Sequence, residues 1–164
     1  MNHSGSSCCG GTSLWCKIKE FFNGKSNKKK VLIIDDDPGL LMLVRKNLSA
    51  KGIAVYTANT GEAGLQMAVK HQPDLILLDV ILPGIKGRQV CAKLKNEEVT
   101  KHIPIIFLTA KDSPDDVQAE IQLGAVSHIT KPLNSKQLLE EVDKALSILS
   151  SDHVKKANQN KTVE

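Results

Sequence analysis

The feature that most constrains the fold is a short apolar run, Leu75-Ile76-Leu77-Leu78, that ends abruptly on Asp79. Four consecutive aliphatic residues are too few for a buried helix. They are also too continuous for a strand with one wet face, so the pattern predicts a strand covered on both sides, as in the middle of a parallel sheet. Pro83, Gly84 and Gly87 then break the chain into a loop. A carboxylate just past the C-terminal end of such a strand lies on the edge where α/β sheets bind ligands.

The same motif recurs along the chain with helical patterns between the copies. Val31–Ile34 is an apolar run that ends on Asp35, Asp36 and Asp37, and Pro38 suits the first turn of a following helix through Leu40, Leu41, Leu43, Val44 and Leu48. Ile53–Ala58 reads as a second strand, and Thr60 and Glu62 open a helix that reaches His71. After the Leu75–Leu78 strand comes a helix through Val90, Cys91 and Leu94. Ile103–Ala110 reads as a fourth strand carrying Thr109, followed by a helix from Pro114 through Val117, Ile121 and Leu123. His128–Thr130 is a short fifth strand that ends on Lys131-Pro132. Ser135 begins a last helix with Leu138, Leu139, Val142, Leu146 and Leu149 at 3.6-residue spacing. Five strand–helix pairs in one chain predict a doubly wound, flavodoxin-like (βα)5 domain: a single five-stranded parallel sheet with helices on both faces.

Composition enters at the ends. Of 22 Lys and Arg against 18 Asp and Glu, six lysines (17, 19, 25, 28, 29 and 30) fall in one stretch with a single acid, Glu20. That local excess is larger than the net charge of +4, so the folded part is close to neutral and gives no electrostatic reason to expect nucleic-acid binding. Residues 1–28 read as a flexible extension. It contains a short amphipathic segment at 13–22, where Leu14, Trp15, Ile18, Phe21 and Phe22 stand at helical spacings among Lys17, Lys19 and Glu20. This segment is a candidate for weak docking on a membrane or a protein. Residues 29–149 form the expected domain, and 150–164 a polar, fraying tail. Cys8, Cys9 and Cys16 cluster in the extension and Cys91 stands alone. This is not a disulfide framework, and with no secretory signal or membrane span in the sequence the expectation is a cytoplasmic protein.

A parallel sheet brings its strand C-termini to one edge, which gathers Asp35 and Asp36, Asp79, Thr109 and Lys131. Two carboxylates about 5 Å apart repel by roughly 3 kcal/mol at an effective dielectric near 20. Three acids therefore want more positive charge than one lysine supplies. A hard divalent ion such as Mg2+, held by carboxylate and carbonyl oxygens, meets that need. Beside it Asp79 can act as a nucleophile toward an activated phosphoryl group, while Lys131 and the Thr109 hydroxyl engage the phosphoryl oxygens. The small Ala110 leaves the site open to a donor.

These motifs, VLIIDDDP, LLDVILPGIKG, Thr109-Ala110 and Lys131-Pro132, stand in an order and spacing that resembles the receiver domain of two-component response regulators. The resemblance covers residues 29–149. It implies that Asp79 accepts a phosphoryl group from a sensor histidine kinase or a histidine phosphotransfer protein. It also implies Asp36 as a direct Mg2+ ligand, Asp35 as a water-mediated one, and the backbone carbonyl of Ile81 as a further ligand. In that family the threonine turns toward the phosphoryl group and a side chain three residues before the lysine swings inward, here His128 in place of the usual Tyr or Phe. Lys86 departs from the family's Asp before the loop glycine, which implies a changed surface. Ile81 and Lys111 would flank the phosphoryl group, and an apolar residue at position 81 implies slow hydrolysis.

The expected function is that of a stand-alone signalling switch, similar to the chemotaxis regulator, that catalyses its own phosphorylation and dephosphorylation. It would present the face of its fourth helix, fifth strand and fifth helix to a downstream protein, or relay the phosphoryl group. Three other readings compete. An aspartyl-phosphate phosphatase would want a second acid at position 81. A dinucleotide-binding fold would want a glycine-rich loop where DDDPG stands. A scaffold with a vestigial site has no need of the complete acid, Thr and Lys set.

Overall fold

The computed structural model describes residues 28–110 and 113–159. The amphipathic segment 13–22, the three N-terminal cysteines and Lys111 lie outside these residues. Strand β1 (Lys30–Ile34) leads to α1 (Pro38–Ala50), β2 (Ala54–Ala58) to α2 (Gly61–His71), and β3 (Leu75–Asp79) to α3 (Gly87–Asn96). Then β4 (Ile105–Thr109) leads to α4 (Pro114–Gln122) and β5 (Ser127–Thr130) to α5 (Ser135–Gln159). The strands form one sheet in the order β2-β1-β3-β4-β5, with every neighbouring pair parallel. This is the (βα)5, flavodoxin-like arrangement that the sequence predicts.

Side chains alternate faces along a strand, and here the alternation divides the core in two. Leu32, Ile34, Ile76, Leu78, Ile105 and Phe107 pack with Ala68 of α2 and Val90, Cys91 and Leu94 of α3. Val31, Ile33, Leu75, Leu77, Ile106 and Leu108 pack with Val44 and Leu48 of α1 and Leu138 and Val142 of α5. Every residue of β3 and β4 is buried, which explains their unbroken apolar runs. With few aromatics available, the core is aliphatic, and each fully buried Leu or Ile contributes about 1.5–3 kcal/mol.

The starts of α1, α2 and α4 carry side-chain caps. The Asp37 carboxylate accepts from Gly39 N at 2.8 Å, with Pro38 at the first helical position of α1. Thr60 caps α2, and Ser113 caps α4 by accepting from Asp116 N. Two features differ from the sequence reading. The last helix continues to Gln159 instead of closing near Leu149. On α4, Ile121 is exposed and Glu120 is buried, the reverse of what side-chain polarity predicts.

Strand order reverses between β1 and β3, because the chain goes first to one side of β1 and then to the other. That reversal opens a crevice at the carboxyl ends of the two strands. Ile34 is in register with Leu78, so the next residues, Asp35 just past β1 and Asp79 at the end of β3, stand side by side at this crevice.

Candidate functional site

One oxygen each from Asp35, Asp36 and Asp79 lies within 4.8 Å of the other two. Asp35 and Asp79 are buried and Asp36 is exposed, so the cluster has two fixed walls and one open one. The third acid of the DDD run is not part of it, since Asp37 is committed to capping α1 and donates its own N–H to Asp35 Oδ1 at 2.9 Å.

Lys131 brings the nearby positive charge. Its Nζ donates to Asp35 Oδ2 at 2.7 Å and to Asp79 Oδ2 at 2.9 Å. Burial pulls the ammonium down, but the bonds to Asp35 and Asp79 outweigh it and the pKa of Lys131 is raised. Burial pushes the Asp35 carboxyl up, and the bonds from Lys131 and the Asp37 N–H offset only part of that rise. Asp35 is therefore a carboxylate held in an unfavourable setting, one that further positive charge would relieve. The donor set of three carboxylates, two of them buried and sharing one lysine, fits a hard divalent cation of the Mg2+ type.

The loop after β3 shapes the rest of the site. Ile81 N donates to Asp79 Oδ1 at 3.1 Å, which orients the carboxylate, while the Ile81 side chain is exposed at the mouth. Gly87 is required by close approach: a Cβ there would stand 1.9 Å from the Asp79 carbonyl oxygen. Gly84 supplies the left-handed turn, at φ 74°.

Thr109, buried at the end of β4, follows Leu108, which is in register with Asp79. Thr109 is also in register with Thr130, and Lys131 N donates to Thr109 O at 2.7 Å, so the fourth and fifth strand ends are joined beside the acids. The Lys131-Pro132 peptide bond is cis. His128 is half-buried and in register with Phe107, two residues before Thr109. By alternation, Thr109 and His128 point to the same face of the sheet.

A cleft of about 290 Å³ adjoins Asp79, lined by Val80, Ile81, Lys86, Thr109 and Ala110 together with Arg88 and Asp116. The sequence reading singled out neither Arg88 nor Asp116 as a site residue. Arg88 Nη2 donates to Asp116 Oδ1 at 2.6 Å, which links the start of α3 to the start of α4. The available signal was an arginine directly after the loop glycine, followed by a run of acids on the next helix.

A parallel sheet with its charged side chains gathered at the crevice where strand order reverses has the architecture of phosphate-handling α/β domains. Sequence comparison narrows this: residues 31–143 match the family described as the response regulator receiver domain, and the chain belongs to that family. It is 39% identical over 110 residues to the alkaline phosphatase synthesis transcriptional regulatory protein PhoP of Bacillus subtilis, an alignment that covers 67% of this chain and 45% of PhoP. It is 38% identical over 113 residues to the response regulator PleD of Caulobacter vibrioides, covering 69% of this chain and 25% of PleD. The chain thus spans less than half the length of these curated relatives.

Among solved structures, a CheY-like receiver domain protein of Methanospirillum hungatei superimposes with a TM-score of 0.71 at 27% identity, covering 76% of this chain and 98% of that one. Chemotaxis protein CheY4 of Vibrio cholerae gives 0.69 at 30% identity, covering 72% and 98%. Receiver domains of response regulators are signalling switches that take a phosphoryl group on an aspartate, and they interact with histidine kinases or phosphotransfer proteins.

Proposed function

We propose that Asp79 is the phosphoacceptor of this receiver domain. A carboxylate oxygen of Asp79 attacks the phosphorus of a phosphohistidine on a sensor histidine kinase or a histidine phosphotransfer protein. The P–N bond breaks, its electron pair returns to the imidazole, and an aspartyl phosphate remains. The observation that carries this reading is the position of Asp79 at the switch-point crevice, within 4.8 Å of Asp35 and Asp36 and 2.9 Å from Lys131 Nζ.

Asp36 and Asp79, with Asp35 through water and the backbone carbonyl of Ile81, are the groups that would hold Mg2+. When bound, the ion offsets the negative charge of the acids and of the incoming phosphoryl oxygens. Lys131, already on the Asp79 carboxylate, moves to a phosphoryl oxygen as that charge passes outward. Thr109 donates its hydroxyl to another, and His128, on the same face, follows inward.

Phosphorylation adds about −1.5 to −2 charges at Asp79. That charge biases the face of α4, β5 and α5 toward binding a downstream protein or toward passing the phosphoryl group along a relay. The protein works in the cytoplasm, where such kinases present their phosphohistidine. Residues 13–22 supply a weak docking element for a membrane or a protein, and deletion of residues 1–27 would reduce co-localisation with that partner. The exposed Ile81 side chain hinders the approach of hydrolytic water, so Ile81→Asn shortens the lifetime of the phosphorylated form. Dephosphorylation no faster in Ile81→Asn than in the wild type would refute that assignment.

The deciding experiment is labelling of the purified chain with radioactive acetyl phosphate, from which acetate leaves, with and without Mg2+. Label is expected on the wild type only in the presence of Mg2+, and none on Asp79→Ala. Equal labelling of Asp79→Ala, or no labelling from both acetyl phosphate and a phosphohistidine donor, would overturn the assignment.

A further inference from the structure

Helices α3 and α4 are joined by a charged cluster that the phosphoryl chemistry above does not use. Arg88 donates to Asp116 Oδ1 at 2.6 Å, and Asp116 also accepts from the Ser113 hydroxyl at 2.6 Å. A second acid, Glu120, lies one turn further along α4, with Oε1 3.9 Å from Arg88 Nη2, an ion-pair separation without a hydrogen bond. Glu120 is 1% exposed. Among the described residues neither of its carboxylate oxygens has a hydrogen-bond partner, and the buried Nε–H of Arg88 has none either.

A buried carboxylate and a buried guanidinium N–H, close to each other and both unsatisfied, make a costly pair that a small side-chain rotation would repair. Arg88 therefore has two partners within reach and uses one. The groups facing Glu120 are Arg88 and the Cys91 thiol from α3, His128 from β5, and Asp116 from its own helix. Arg88 is the fixed positive charge among them.

The backbone connects this choice to the phosphorylation site. Gly87, next to Arg88, donates its N–H to Val80 O and lies against the Asp79 carbonyl. Asp116 is in the first turn of α4, on the segment that leaves Thr109. The cleft between them is lined by Arg88 and Asp116 together with Thr109 and Ala110, and Glu120 is not part of that lining. A shift of the Thr109–Ala110 wall toward Asp79 would narrow this cleft and move Asp116 relative to Arg88, leaving Glu120 as the acid in reach.

We propose that Arg88 is a two-position latch, bonded to Asp116 in the resting arrangement and to Glu120 when Asp79 is phosphorylated, so that the choice of acid sets the position of α4. This rests on the reading of Asp79 as phosphoacceptor. In the resting state burial holds the Glu120 carboxyl above the ordinary range, with Arg88 opposing it only in part. Full bonding to Arg88 brings it down.

The test follows the Glu120 carboxyl titration by NMR in the full chain labelled with carbon-13. The samples are the resting wild type, the wild type with Mg2+ and beryllofluoride as a phosphoryl mimic, and Asp116→Asn. The midpoint is expected to fall by about one pH unit or more on adding the mimic, and by a similar amount in resting Asp116→Asn. Acetyl phosphate labelling should rise about threefold in Asp116→Asn and fall to a similar degree in Glu120→Gln, because the two substitutions favour opposite positions of one arginine.

A Glu120 midpoint unchanged by the mimic would overturn the latch, however well the chain is labelled, because Asp116→Asn also lowers it by removing a like charge. Equal directions of change in labelling for the two variants would overturn its coupling to Asp79. If the midpoint moves in Asp116→Asn but the wild type takes no label, the phosphoacceptor reading fails and the proposed coupling of Arg88 to Asp79 is overturned with it. The wild-type comparison with and without mimic needs no variant, so misfolding of Asp116→Asn leaves a decisive measurement.

Discussion

Lys131 holds two acids at once, and its removal would be felt in both stability and chemistry. In Lys131→Ala the buried Asp35 and Asp79 carboxylates face each other with no cation bonded to either, a change that costs about 3–5 kcal/mol. Chemical denaturation in Mg2+-free buffer should show a loss of that order, and added Mg2+ should recover part of it. Cys91 makes a second residue-scale prediction. Burial pushes its thiol up from 9.0 to about 11, with Lys95 opposing and Glu120 adding to the rise. A raised pKa means a stabilising contribution that is complete below pH 9.0 and is lost as pH climbs through about 11. The wild type should therefore lose thermal stability over that window relative to Cys91→Ala, and its Cys91 thiol should resist alkylating reagents at neutral pH until the chain unfolds. The positions of Asp35, Asp79, Thr109 and Lys131 were legible in the sequence because each stands at the end of a predicted strand, and strand ends share an edge. Glu120 was not. A charged residue in a helix is normally assigned to the wet face, and only the fold shows that Ile121 has taken that place.

Elements carry the next set of constraints, and the β3–α3 loop is the tightest. A methyl at position 87 would meet the carbonyl of Asp79, a backbone atom with no freedom to step aside. Gly87→Ala should cost about 2–3 kcal/mol, within the range for overpacked sites, and should also disturb the orientation of Asp79. Its labelling should then fall further than stability alone accounts for, which parallel denaturation and phosphorylation assays would reveal. Element types and order followed from the periodicities, since the runs of β1, β3 and β4 have no polar interruption and the helices open on Pro38, Thr60 and Pro114. The far end of α5 did not. Beyond Leu149 the chain turns polar, and polarity says nothing against helix where no core face is required, so the helix continues to Gln159.

At the scale of the molecule, one sheet separates two cores, and the central strands serve both. Leu77→Ala, on the face covered by α1 and α5, should lower global stability by about 3 kcal/mol, whereas Met42→Ala, 71% exposed, should change it by less than about 0.5 kcal/mol. Urea titration distinguishes the two. The sheet order was only partly legible: alternation of strands and helices dictates parallel pairing, but the placement of β1 between β2 and β3 emerges from packing. That order has a consequence for biogenesis. Lys131 reaches Asp35 across 96 positions of sequence, from the strand at the far edge of the sheet. A nascent chain leaving the ribosome carries its acids long before it carries the lysine that reconciles them, and the fifth strand must dock before the pocket is assembled. A truncated or stalled translation product therefore lacks the Lys131 bonds that tie Asp35 to Asp79.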